Sequence, residues 1–212
     1  EFLKVIAKAA NARTVGRTND FSVDLGTLTG TAQLERVSGF VDDAVAKGAR
    51  LIAGGTRLEE VGPNAYAPTV LTDIPSDARL DRSEVFGPIV QVYAYESVAE
   101  AIALANDTDY GLNASVVGPE SEAIAVAAKL QAGSVNINEG YRASFASMES
   151  PMGGMKASGQ GRRNGGGGLL RFTEARTVAT AGGPIKLPTR AKAYNRLAPL
   201  LRLLNAVQRR LP

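Results

Sequence analysis

The chain has 212 residues, with 24 Lys+Arg against 21 Asp+Glu and neither cysteine nor histidine. Within these residues that excludes a disulfide framework, a Cys/His metal site, a Ser-His-Asp triad and any imidazole acid or base, so chemistry must come from carboxylates, lysines, hydroxyls or backbone. From Arg176 onward eight Lys/Arg meet no Asp or Glu, which leaves an acidic body of net charge −5 in front of a basic tail.

In chain order, Phe2, Val5, Ile6, Ala9 and Ala10 recur at helical spacing and predict an opening helix. Arg13 to Leu28 is polar and irregular. Leu34, Val37, Phe40, Val41, Ala44 and Val45 mark one face of a helix over Thr31 to Lys47, which Gly48 stops. Leu51 to Ala53 predicts a short strand closed by Gly54-Gly55, and Ala67 to Leu71 another. Ile89 to Tyr95 is a β-rich run. Ser97 to Glu100 is a capping box for a helix with Ile102 and Leu104 inward, and Ala114 to Val117 returns as strand. A helix from Pro119 at its first position through Leu130, ended near Gly133, leads into a strand over Ser134 to Asn138. Strand, helix, strand, helix, strand predicts an α/β fold with a mostly parallel sheet and helical crossovers. Glu139 to Ser150 is a hydroxyl-rich loop, of the kind that carries ligands beyond a strand's carboxyl end. Gly165 to Gly168 opposes the helix its neighbours favour, and Thr177 to Ala181 predicts a short strand broken by Gly182-Gly183-Pro184.

None of the glycine-rich segments matches a phosphate-binding pattern. Lys156 follows Gly154 at the wrong spacing, and no acid sits at a ribose-reading distance, so tight turns and close packing are the simpler reading. Glu84-Val85-Phe86-Gly87-Pro88 is more suggestive. On the residues alone, Glu84 is a ligand acceptor or a solvated acid, and Phe86 a ligand platform or a core residue.

Five segments then occur in a telling order: Glu84-Val-Phe-Gly-Pro-Ile-Val, Ala103-Leu-Ala-Asn-Asp-Thr-Asp-Tyr-Gly-Leu, Leu130-Gln-Ala-Gly-Ser-Val-Asn-Ile-Asn, Pro151-Met-Gly-Gly-Met-Lys-Ala-Ser-Gly-Gln-Gly-Arg and Phe172-Thr-Glu-Ala-Arg-Thr-Val. In order and spacing they resemble the NAD(P)-dependent aldehyde dehydrogenase superfamily over about residues 1 to 180. Asn138-Glu139-Gly140, the serine-rich loop, Met152 and Met155 are most similar to its succinate-semialdehyde dehydrogenase-like branch.

The resemblance implies a cysteine thiolate that attacks an aldehyde, hydride transfer to NAD or NADP, and a glutamate-activated water that hydrolyses the thioester. It places nucleophile, general base and dinucleotide-binding domain ahead of Glu1. The expectation is therefore a carboxyl-terminal portion of such an enzyme, inactive alone, with no catalytic residue of its own. Carried over by motif, Glu84 holds the nicotinamide ribose hydroxyls and Phe86 packs near the nicotinamide. The loop from Tyr141 to Met152 lines the entrance for a small aldehyde. Ser147 holds the substrate's remote carboxylate or is a solvated hydroxyl, and Met152 stands where phenylalanine is common.

The expected organisation is a partial catalytic domain over 1–174, an oligomerisation strand over 175–185 and a basic amphipathic helix over 186–212. The strand at Thr177–Ala181 extends a partner subunit's sheet in the family, which implies a homo-oligomer. In the tail, Tyr194, Leu197, Leu200, Leu201, Leu204, Val207 and Leu211 form an apolar face amid Arg196, Arg202, Arg209 and Arg210. Such a helix either docks on protein or makes weak contact with an anionic membrane. No apolar run reaches the roughly 20 residues of a membrane span and no signal peptide pattern opens the chain, so a cytoplasmic location is expected, with no metal and no nucleic-acid partner. The alternative reading is a non-catalytic assembly or membrane-surface module.

Overall fold

The computed structural model describes residues 1–17, 21–159, 161–180, 182 and 190–209, which fall into two compact units, Glu1–Phe172 and Thr173–Pro212. In the first, helix α1 (Phe2–Asn11) lies against the first two strands with no residue fully buried. Helix α2 (Thr31–Ala46) forms where its apolar spacing predicts, and Gly48 follows it at φ 110°. Strand β1 (Arg50–Ala53) runs antiparallel to β2 (Thr69–Thr72), which pairs in parallel with β3 (Ile89–Val92). The second strand starts two residues later than Ala67, because Pro68 has no N–H for a ladder.

Between β2 and β3 sits a single helical turn, α3 (Arg79–Arg82), that no periodicity announces. Its start is set from elsewhere in the chain: the Asp43 carboxylate of α2 accepts from the Arg79 backbone N–H at 2.8 Å. The main core lies here. Leu34, Val37, Phe40 and Val41 of α2 pack with Leu71 of β2 and Leu80 of α3, each no more than 2% exposed. The Arg36 and Arg79 guanidinium groups lie over the Phe40 ring at 4.9 and 4.7 Å.

Helix α4 (Val98–Asn106) is capped by Ser97, whose hydroxyl accepts from the Glu100 N–H at 3.2 Å. The Glu100 carboxylate reaches the Glu96 N–H at 2.8 Å, so the box closes one residue further out than the motif implies. Then come β4 (Tyr110–Gly111), β5 (Asn113–Val116), α5 (Glu120–Ala127), β6 (Ser134–Ile137), α6 (Arg142–Ala146), β7 (Met155–Lys156) and α7 (Gly165–Leu170). Pro119 is the cap of α5 rather than its first residue. β5 and β6 are parallel, and β4 pairs antiparallel with β7.

The β5–α5–β6 pairing follows the expected crossover pattern and β2 with β3 adds a second parallel pair, but the sheet is in pieces among the described residues. β3 and β5, which α4 connects, are not neighbours. The inner side of α4 therefore overlooks a groove with Gln91 of β3 and Ser115 of β5 on its walls, not a continuous sheet. Leu104 is accordingly 44% exposed instead of inward. The helix α7 forms in spite of its glycines. A Cβ on Gly168 would stand 2.9 Å from the Arg163 carbonyl carbon, so close backbone passage demands glycine at that position.

In the second unit, residues 177–180 are exposed and carry no strand ladder, and Ala181, Gly183 and Pro184 lie outside the described residues. A lone segment has no partner with which to form the expected strand. The tail helix is α8 (Ala191–Gln208); Arg210 and Leu211, which the sequence adds to it, lie outside the described residues.

Candidate functional site

The segment between α3 and β3 alternates one buried residue with two exposed ones. Val85 is inserted into the core and only 8% exposed, whereas Glu84 on one side is exposed and Phe86 on the other is 74% exposed. A phenylalanine that displays its ring to solvent while its neighbour anchors the loop is not a core residue. Its backbone is also held at φ 53°, a left-handed conformation that costs a side-chain-bearing residue about 1 kcal/mol.

What keeps the loop in that shape comes from α2. The Gln33 side-chain amide donates to the carbonyl oxygens of Val85 at 2.9 Å and Phe86 at 2.7 Å. Arg36, one turn on, donates to the Glu84 carbonyl oxygen at 2.9 Å. Gly87 completes the seat, since a Cβ there would come within 2.7 Å of Val37 Cγ2. Three successive carbonyls are thus tied to one helix, and the side chains of Glu84 and Phe86 are left free to face outward. Gln33 and Arg36 were not singled out by the sequence reading. Their positions at i and i+3, bordering the buried Leu34 and Val37, hold the only sequence signal, and it reads as an ordinary polar helix face.

Both Glu84 and Phe86 line a groove of about 610 Å³, with Arg82, Gln91, Tyr110 and Asn113 among its other walls. Arg82 pairs with Asp107 at 2.8 Å and with Asp81 at 3.1 Å. The hydrogen bond from Arg82, together with its charge, holds the Asp107 carboxyl below the usual range. On the adjoining side, the Tyr93 hydroxyl is 3.0 Å from an Asp81 carboxylate oxygen, and partial burial followed by that contact pushes its phenol up to about 12. These groups form a saturated polar wall, whereas the Glu84 carboxylate and the Phe86 ring face the open space.

Ser147 and Met152 do not join this groove. The Ser147 hydroxyl is paired with that of Ser150 at 2.7 Å, and its carbonyl accepts from Asn164 at 3.2 Å. Met152 exchanges two backbone bonds with Arg163 at 2.8 and 2.7 Å, and Arg163 Nη2 also approaches its thioether sulfur at 2.9 Å. Both residues are half-buried and locally engaged. The predicted ligand loop also contains a short helix, α6, which orders Tyr141 and Phe145 edge to face at 5.9 Å. The glycine-rich segments turn out to be crossing points. A Cβ on Gly133 would meet the Gly153 carbonyl oxygen at 1.6 Å, and one on Gly153 would meet that of Gly161 at 2.1 Å.

A model of the aldehyde dehydrogenase family matches residues 1–178. The chain belongs to that family. Among its relatives is a protein from Mycolicibacterium smegmatis that bears the name succinate-semialdehyde dehydrogenase (NADP(+)), 52% identical over 182 residues, which are 85% of this chain and 35% of that one. Among solved aldehyde dehydrogenases, the NAD+ complex from Bacillus cereus superposes with a TM-score of 0.74 at 35% identity, covering 81% of this chain and 34% of that one. The succinic semialdehyde dehydrogenase from Streptococcus pyogenes, solved with NADP+, gives a TM-score of 0.78 at 29% identity over 85% of this chain and 39% of that one. The chain thus spans about a third of the length of these aldehyde dehydrogenases.

Proposed function

We propose that these residues supply the carboxyl-terminal part of the catalytic domain of an NAD(P)-dependent aldehyde dehydrogenase acting on succinate semialdehyde, and that Glu84 and Phe86 form the nicotinamide-ribose side of its cofactor clamp. The observation that carries this reading is the loop tied by three carbonyls to α2, with Glu84 and Phe86 both on the wall of one groove. The bound dinucleotide supplies a hydride acceptor. The Glu84 carboxylate can accept from two vicinal hydroxyls at once, and such charge-assisted bonds fix the register of the ring they hold. Phe86 offers a flat apolar face beside it, on a backbone that does not have to be ordered at the moment of binding.

The relatives' names support succinate semialdehyde as substrate and NAD or NADP as cofactor. With no cysteine among the 212 residues, the attacking thiolate must come from other residues of the enzyme, and the isolated chain is inactive. The Ser147 and Met152 loop serves the aldehyde entrance only if Ser147 exchanges its Ser150 partner for substrate. Residues 177–181 supply the contact between subunits in a homo-oligomer, and the enzyme is cytoplasmic.

The test is a chimera that joins this chain to the amino-terminal two-thirds of the M. smegmatis relative, assayed for semialdehyde-dependent NADPH and NADH formation. The chimera should be active, the 212-residue chain alone should not, and Glu84→Ala in the chimera should lower kcat/KM for the nucleotide by tenfold or more. Turnover by the isolated chain, or an unchanged kcat/KM in Glu84→Ala, would overturn the proposal.

A further inference from the structure

The helix α8 lies beyond the family match, which ends at residue 178. Its side chains divide for the most part, with Leu203, 62% exposed, the one leucine on the basic side. Tyr194, Leu197, Leu200, Leu201, Leu204 and Val207 follow one side, and none of the helix is buried; Leu200, Leu204 and Val207 are each more than half exposed. Arg190, Lys192, Arg196, Arg202 and Arg209 occupy the cap, flank and opposite side, and no acidic residue occurs after Glu174. An apolar face with only positive charge around it complements one kind of surface particularly well: a layer with an apolar interior and anionic headgroups.

We infer that α8 is an in-plane anchor for anionic lipid surfaces. Its 18 residues span about 27 Å at helical rise, short of the hydrocarbon thickness, and no described helix is long and apolar enough to cross a membrane. The apolar side enters the headgroup boundary while the basic side stays at the level of the phosphates. Pro199 interrupts the backbone ladder on the side away from the Leu200–Leu204 face, where water can serve the freed carbonyl. A second copy of the chain is the less suited occupant, because two such helices would bring the cap and flank cations of each, Arg190 and Arg196, to one interface with no acid between them.

The experiment is co-sedimentation of the full 212-residue chain with vesicles of phosphatidylcholine alone or with one-third phosphatidylglycerol. The chain should partition to the anionic vesicles, only weakly to the neutral ones, and less as salt is raised. Arg196→Gln with Arg202→Gln should weaken partitioning roughly 25-fold, at about fivefold per charge, while Arg196→Lys with Arg202→Lys should retain it. Leu200→Gln with Leu204→Gln, which keeps every charge, should abolish it. Absent or equal binding to the two vesicle types at low salt overturns the inference. So does a chain whose light-scattering mass falls from oligomer to monomer in the leucine variant with no vesicle binding in the parent, since that outcome makes the face a protein contact.

Discussion

The side-chain amide of Gln33 donates to the carbonyl oxygen of Phe86 at 2.7 Å across a sequence separation of 53 residues. It links the helix that carries the core to the loop that carries the candidate cofactor clamp, and the same amide also serves Val85. The strained φ of Phe86 persists because this contact, the insertion of Val85 and the seat of Gly87 together over-determine it.

Gln33→Leu removes the donor and leaves two carbonyls without it. The expected cost is about 1–3 kcal/mol in urea unfolding of the chain. In the active chimera the KM for the nucleotide should rise while that for the aldehyde stays. A variant with unchanged stability and unchanged nucleotide KM would show that the loop holds itself.

Phe86→Gly separates conformation from chemistry. Glycine adopts a positive φ without steric cost, so the folded chain should be as stable as the parent or more stable by up to about 1 kcal/mol. Nucleotide affinity of the chimera should nevertheless fall, because the exposed ring is gone. Isothermal titration together with urea denaturation reads both effects.

Asp43 predicts an acid-side loss of stability. The Arg79 backbone N–H and then the Lys47 ammonium, 3.1 Å away, hold its carboxyl below the ordinary value. A group lowered on folding contributes stability that is present above its unfolded pKa and lost as pH falls through the folded one. The chain should therefore lose thermal stability below the ordinary carboxylate range, and Asp43→Asn should flatten that part of the profile. A parallel profile in the variant would exclude Asp43 as a contributor.

Tyr66 is 3% exposed, and its hydroxyl has no hydrogen-bond partner among the described residues. Burial, with the nearby Asp42 charge adding to it, pushes the phenol up to about 12. Tyr66→Phe removes a desolvated group that gains nothing in return, so it should be neutral or stabilising by about 1 kcal/mol in urea unfolding. A loss of more than about 1 kcal/mol would reveal a partner for the hydroxyl in solution.

The local and periodic features were legible in the amino-acid sequence: α2 from Leu34, Val37 and Val41, the cap of α4 at Ser97, the crossover β5–α5–β6, and the family from five ordered segments. Glu84 and Phe86 were legible as candidates because their motif is contiguous. What stayed ambiguous was whether the ring at Phe86 is core or surface, since residue type cannot report the direction in which a turn points. Contacts between distant elements decided that: Gln33 and Arg36 on α2 tie the loop's carbonyls, Asp43 starts α3, and Arg163 engages Met152. The same long-range arrangement leaves Leu104 over a groove and separates Ser147 from Glu84's groove. Periodicity follows from the repeat of the backbone itself and needs only near neighbours, whereas the direction of a side chain in a loop follows from which distant donors its carbonyls meet.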